Sequence, residues 1–301
     1  MTHPPRGPVR VTIGQIEVSN DHAANLLVVR SAFTEALRLQ ADLLVLPEYA
    51  SGFDPRGVGV EHAEPLDGPF VTTLQRWAAE TGVAVIAGTT LPGAHGGTGR
   101  DAEASGAAPS TSAPSPAASP TPRAVNAVVA IDGGGHLVGV YRKVHLYDAF
   151  GHRESDRLEP GPVDAPPTTM SVGGLTFGVM TCYDLRFPES ARRLVDAGAD
   201  VLVVPAAWAA GDLKADHWRT LARARAIENT SVVLAVGQAG KGVTGRSLLV
   251  GPDGQVGLEL DERAGLRTAD VDPEALGAVR AANPSLANRR YAVVPRDEQD
   301  R

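Results

Sequence analysis

Phe177-Gly178-Val179-Met180-Thr181-Cys182-Tyr183-Asp184-Leu185-Arg186-Phe187-Pro188-Glu189 holds the only cysteine of the 301 residues. An apolar run ends at Cys182 and Pro188-Glu189 follows within six residues. That order predicts a buried strand, a tight turn and a helix start, because proline is tolerated at the first helical position and acidic side chains suit the first turn. Such a turn lifts a side chain clear of a sheet. Taken alone, the thiol reads first as a small buried apolar group. Whether it does chemistry depends on its neighbours.

Outward from this stretch the chain alternates strands and helices. Val11 to Ile16 reads as a strand, and Ser19-Asn20-Asp21 offers caps for a helix to about Gln40. Asp42 to Leu46 follows as a buried strand that stops at Pro47-Glu48. Gly68-Pro69 opens a second helix that Gly82 closes, and Val83 to Gly88 is the next strand. Val125 to Ile131 and Leu137 to Val140 form a hairpin about Asp132-Gly133-Gly134-Gly135. Strands apolar on both faces and alternating with helices imply a sheet covered by helices.

The second half repeats the first in outline. Ala41-Asp42-Leu43-Leu44-Val45-Leu46-Pro47-Glu48-Tyr49 and Ala199-Asp200-Val201-Leu202-Val203-Val204-Pro205-Ala206-Ala207-Trp208 share the order helix, Ala-Asp, apolar strand, proline, aromatic. Two similar halves packed as a pair predict the layers helix, sheet, sheet, helix. After the shared proline the first copy carries Glu48 and the second Ala206. A helix from about Lys214 to Asn229, a strand from Ser231 to Val236 and a hairpin at Gly251-Pro252-Asp253-Gly254 complete the half.

The length suits one layered α/β domain with a large core. Residues of about 94–123 are nearly all Gly, Ala, Ser, Thr and Pro, too poor in large apolar side chains to offset ordering entropy. They are expected to be a disordered surface insertion. The net charge of −7, with no basic cluster, speaks against nucleic acid or an anionic membrane as partner. No window approaches the apolar length of a membrane span, and the N-terminus lacks a signal-like apolar core. A cytoplasmic protein is expected. One cysteine permits neither an internal disulfide nor a cysteine-based zinc cluster.

Three further stretches carry candidate chemistry. Leu46-Pro47-Glu48-Tyr49 puts a carboxylate at a strand end, where the strand fixes the backbone and the loop leaves room for substrate. Tyr141-Arg142-Lys143-Val144-His145-Leu146 sets cations and a histidine at the end of a hairpin strand. Lys143 reads either as an exposed edge charge that blocks aggregation or as an ammonium that holds an oxyanion. Glu154 is a bare acidic loop residue.

Together, Leu46-Pro47-Glu48, Tyr141 to Leu146 and Cys182 to Glu189 resemble, in the same order, the glutamate, lysine and cysteine motifs of the nitrilase superfamily of carbon-nitrogen hydrolases. The Lys-Val-His-Leu and Cys-Tyr-Asp-Leu-Arg-Phe forms resemble its Nit branch of ω-amidase-like enzymes. The resemblance implies a four-layer αββα sandwich, a small amide as substrate, no metal or organic cofactor, and a homodimer or higher homo-oligomer in which Pro284 to Val294 packs on a partner subunit. It implies Cys182 as nucleophile, Glu48 as general base and acid, Lys143 and the Tyr183 N–H as oxyanion donors, and Glu154 as the group that orients the lysine. Tyr49, Tyr183, Arg186 and Trp208 are expected to line the substrate site, with Arg186 as clamp for a carboxylate or as one half of a structural ion pair. Arg246 departs from the histidine that many Nit-type sequences carry.

Three other readings stay open at this level. The same thiol chemistry would serve an N-carbamoyl or ureido substrate. A silent binding protein would keep the fold without turnover. A thiol hydrolase could use His145 or His217 as its base.

Overall fold

The computed structural model describes residues 7–94 and 122–296. Of the expected insertion only its ends, Ala94, Pro122 and Arg123, fall among them. Twelve strands form two six-stranded sheets. The first sheet holds β1 (Val9–Gln15), β2 (Leu43–Val45), β3 (Ala84–Pro92), β4 (Ala124–Ile131), β5 (Leu137–Arg142) and β12 (Gly265–Val271), in the order β12-β1-β2-β3-β4-β5. The second holds β6 (Thr169–Val172), β7 (Leu175–Val179), β8 (Val201–Ala206), β9 (Val232–Gly237), β10 (Leu248–Val250) and β11 (Val256–Glu259), in the order β6 to β11.

Period-two alternation places the layers. Ile13, Val45 and Ile86 meet Val179, Val203 and Leu234 in the core between the sheets. The neighbours Leu44 and Val85 point the other way, onto α1 (His22–Arg38) and α2 (Pro69–Thr81), where Val29, Phe33, Phe70 and Leu74 cover them. On the far side Leu202 and Val204 pack under α3 (Pro188–Asp196) and α4 (Lys214–Asn229) through Leu194, Trp218 and Ala222. Each such side chain taken from water contributes about 1.5–3 kcal/mol before entropy is counted. The result is the expected αββα sandwich. A short helix, α5 (Pro273–Ala282), adds Leu276 to the central core.

Local signals act as the sequence predicts. The Asp21 side chain accepts from the Ala24 N–H at 3.0 Å and caps α1, while Gly82 ends α2 in the left-handed region at φ 75°. Pro284–Val294 runs along the surface, with Tyr291 91% exposed and Arg289 paired with Asp196. Arg246 pairs with Glu262 at 3.2 Å, and its carbonyl accepts from the Trp218 indole at 2.8 Å. Among the described residues no helix is long and apolar enough to cross a membrane.

Candidate active site

The site lies where the C-terminal ends of β2 and β8 meet across the two sheets. Beyond β2 the chain turns at Pro47-Glu48, pressed so close to β3 that a Cβ on Gly88 would fall 2.4 Å from the Glu48 Cα. Only glycine admits that approach. The Glu48 carboxylate is 1% exposed and fully engaged. Oε1 accepts from Asn126 Nδ2 at 2.6 Å and Lys143 Nζ at 3.0 Å, and Oε2 accepts from the Ala207 N–H at 2.7 Å. The second half's own proline turn therefore holds the first half's carboxylate.

Lys143 directly follows β5 and is completely buried, so it is not an exposed edge charge. Its ammonium donates to both oxygens of Glu154, at 3.0 and 2.9 Å, besides Glu48. Burial works to lower its pKa, but Glu154 and then Glu48 outweigh it and hold the pKa well above the ordinary lysine value. Glu154 opens a single 3-10 turn (Glu154–Asp156) and also accepts from the Tyr49 hydroxyl at 2.9 Å and the Tyr147 N–H at 2.7 Å. Glu48, Lys143 and the partly exposed Glu154 thus form one chain of alternating charges.

Cys182 stands between β7 and α3 at the head of a 3-10 turn (Cys182–Arg186), with φ at +46°. A non-glycine residue in that region is strained and marks a position that the surroundings impose. The turn is tied down by Asp184, which is fully buried and accepts from the Thr181 N–H at 3.0 Å, the Tyr141 hydroxyl at 2.7 Å and His145 Nδ1 at 2.7 Å. Tyr141 and His145 flank Lys143 in sequence, so this aspartate couples the lysine segment to the cysteine turn. Burial first, and the Glu48 charge second, push the Cys182 thiol well above its ordinary pKa, with Lys143 opposing them. That direction favours the protonated thiol, the form that a neighbouring base can activate.

Glu48, Cys182 and Glu154 open into one cleft of about 380 Å³, which also exposes Tyr49, Tyr183, Arg186 and Trp208. That size suits a small molecule. The Tyr49 hydroxyl is spent on Glu154, and Trp208 lies beneath Arg186, whose guanidinium carbon is 5.0 Å from the indole centroid. Tyr183 meets Tyr147 edge to face at 5.0 Å, and its N–H belongs to the first turn, where donors lack an intrahelical acceptor. Arg186 has no carboxylate partner among the described residues, which disposes of the structural ion pair; its one side-chain hydrogen bond joins His217 at 3.3 Å. His145 stacks on Phe187 at 3.8 Å and bonds Asp184 instead of facing the cleft.

Sequence reading missed three residues here. Asn126 was legible as a polar residue inside an otherwise apolar strand; Tyr147 and Lys214 carry no such mark. Among the described residues no three His, Cys, Asp or Glu side chains are grouped to hold a metal.

Two stacked sheets with a buried thiol, carboxylate and ammonium at their joined ends define a class of thiol hydrolases. Residues 10–281 match the Carbon-nitrogen hydrolase family. Deaminated glutathione amidase of Escherichia coli O157:H7 is 35% identical over 284 residues, covering 94% of this chain and 97% of that protein. A hydrolase of Mycobacterium tuberculosis H37Rv is 34% identical over 300 residues, covering 93% and 95%. Among solved structures, Nit3 of Saccharomyces cerevisiae, a nitrilase-superfamily member, superposes with TM-score 0.75 at 26% identity over 96% of this chain and 99% of that one. A CN-hydrolase superfamily protein from Xanthomonas campestris gives TM-score 0.76 at 26% identity with the same coverage. The chain belongs to the carbon-nitrogen hydrolase family, in its nitrilase superfamily and Nit-like branch. It is a thiol-dependent amidohydrolase.

Proposed function

We propose that the enzyme releases ammonia from a small ω-amide that carries a carboxylate at its other end, through a thioester on Cys182. The observation that carries this reading is the cleft itself. The Cys182 thiol and the Glu48 and Glu154 carboxylates line one end of it, the buried Lys143 ammonium bonds both carboxylates, and a guanidinium without a carboxylate partner among the described residues stands on its wall.

In the first step the Cys182 sulfur attacks the amide carbon while Glu48 takes the thiol proton. The oxyanion is held by the Lys143 ammonium and the Tyr183 N–H, donors already fixed before charge develops. Collapse of the tetrahedral intermediate breaks the C–N bond, and Glu48 returns its proton to the departing ammonia. Water, deprotonated by the same carboxylate, then attacks the thioester, and collapse restores the thiol. Glu154 keeps Lys143 aimed and charged throughout. Arg186 binds the remote carboxylate and sets which end of the substrate meets the thiol.

The reading takes the whole chain as one catalytic domain with residues of about 94–123 as an insertion. It also takes the enzyme as cytoplasmic, where a reducing environment keeps the single thiol free. It takes it as a homo-oligomer, on the support of the exposed Tyr291 and Val294. Ammonia release from a panel of amides, carbamoyl compounds and nitriles tests the substrate class. ω-Amides with a remote carboxylate should head the panel; activity confined to nitriles or carbamoyl compounds would overturn the assignment.

A further inference from the structure

The cleft is rich in charge, yet nearly all of that charge is spent within the protein. Asp54 pairs with Arg56 at 2.6 Å, Arg157 with Glu61 at 2.7 Å, and Arg153 with Asp156 at 3.5 Å. Glu48 and Glu154 share the buried lysine. Among the charged residues described in the lining, Arg186 and Lys214 alone are left without an oppositely charged partner.

Lys214 is held for a purpose other than helix solubility. It opens α4 right after Leu213, which sits in the left-handed region at φ 60°, and its carbonyl accepts from the Trp208 indole at 2.9 Å. The side chain is only 8% exposed. Its ammonium donates to the Tyr147 hydroxyl at 2.6 Å and lies 3.6 Å from the centre of the Phe150 ring. Arg186 approaches the same ring at 5.7 Å, and its Nε is buried without a partner. An aromatic face returns only part of what a cation loses on burial. Burial and the nearby Arg186 accordingly lower the Lys214 pKa. Phe150 itself is 66% exposed on a loop that turns at Phe150-Gly151 with both φ angles positive. The two cations thus share one side of the cleft beneath an exposed ring.

We infer that Arg186 and Lys214 form a paired-cation subsite that selects amides bearing two anionic groups, with Lys214 as the residue that distinguishes them from singly charged amides. This rests on the amidase reading above and narrows its substrate. Two uncompensated positive charges in a sheltered cleft match two negative charges. One carboxylate leaves a buried cation unpaired, and a neutral amide leaves both.

The test compares kcat/KM for ω-amides of matched length whose remainder carries no, one or two carboxylates, in the wild type, Lys214→Met and Lys214→Arg. The wild type should prefer two carboxylates over one and one over none. Lys214→Met should lower the ratio between doubly and singly charged amides by about tenfold or more, since a charged hydrogen bond is lost, with the loss mainly in KM. Lys214→Arg should recover a substantial part of that ratio. A ratio unchanged in Lys214→Met overturns the subsite and leaves the amidase reading standing. A wild type that hydrolyses these amides without regard to charge overturns the subsite and the Arg186 carboxylate clamp together, and leaves only the cleavage of amides. Absence of ammonia from every amide overturns the amidase reading, and the subsite with it.

Discussion

The two halves of the molecule share one plan and divide the chemistry. In each, three parallel strands run side by side, β1-β2-β3 and β7-β8-β9, flanked by antiparallel partners in the same order. In each, a proline marks the end of the middle strand, Pro47 two residues past β2 and Pro205 next to the last residue of β8. Past that point they part. The first half supplies Glu48 and Lys143, the groups proposed to move a proton and to hold charge. The second supplies Cys182 and Arg186, and its copy of the proline turn offers only the Ala207 N–H. A repeated scaffold thus sets two sheet ends face to face, and a few residues there make the halves complementary.

If this division is right, removing the second half's nucleophile has the largest effect. Cys182→Ala should lower ammonia release by about 10⁴-fold or more with the fold intact by circular dichroism. Next comes the base. Glu48→Gln should cost about 10²- to 10⁴-fold in kcat, whereas His145→Ala should cost far less, because His145 holds Asp184 and does not face the cleft. Equal losses would move the base to the histidine and break the comparison.

Smaller effects sharpen it. Asn126→Ala removes one donor to the buried Glu48 carboxylate and should lower kcat about 10- to 100-fold, the value of a hydrogen bond to a charged group. Tyr141→Phe removes one tie between the lysine segment and the cysteine turn, Tyr141 to Asp184. It should cost about 1.5–3 kcal/mol of stability and lower Tm by about 3–12 °C. Thermal melts check it.

The pH behaviour of the thiol follows from its direction of shift. A raised pKa means that Cys182 keeps its proton to higher pH than a free cysteine, so folding gains from it below the ordinary thiol value and loses that gain as pH rises through the folded value. With only one cysteine in the chain, the ultraviolet thiolate signal of wild type minus Cys182→Ala isolates it. The inflection should lie above about 8.5.

Much of this was legible in the residues. Periodicity and caps gave α1, α2 and α4 within a few residues, and the repeated Ala-Asp-strand-Pro pattern gave the paired sheets. Glu48, Lys143 and Cys182 each follow a strand, but the residues alone leave each of them open, and it is their resemblance, in order, to the motifs of the nitrilase superfamily that marks them as catalytic candidates. What the sequence could not carry is long-range pairing and side-chain direction. β12 joins β1 through partners such as Val9 and Val271, and no local pattern announces that edge. Asn126 points at Glu48 only because β4 lies beside β3, and Lys214 enters the cleft only because Leu213 turns the chain. For Arg186 the sequence allows a clamp or an ion pair; the structure places no carboxylate beside it among the described residues, and the clamp remains the proposal.

The thioester is the claim on which the division of labour stands. The most direct measurement is the intact mass of wild-type enzyme quenched in acid during turnover of an ω-amide, followed by peptide mapping. The expected result is a mass gain equal to the amide less ammonia, carried by the peptide that contains Cys182 and absent from Cys182→Ala. An acyl group found on another residue, or retained in Cys182→Ala together with ammonia release, would contradict it.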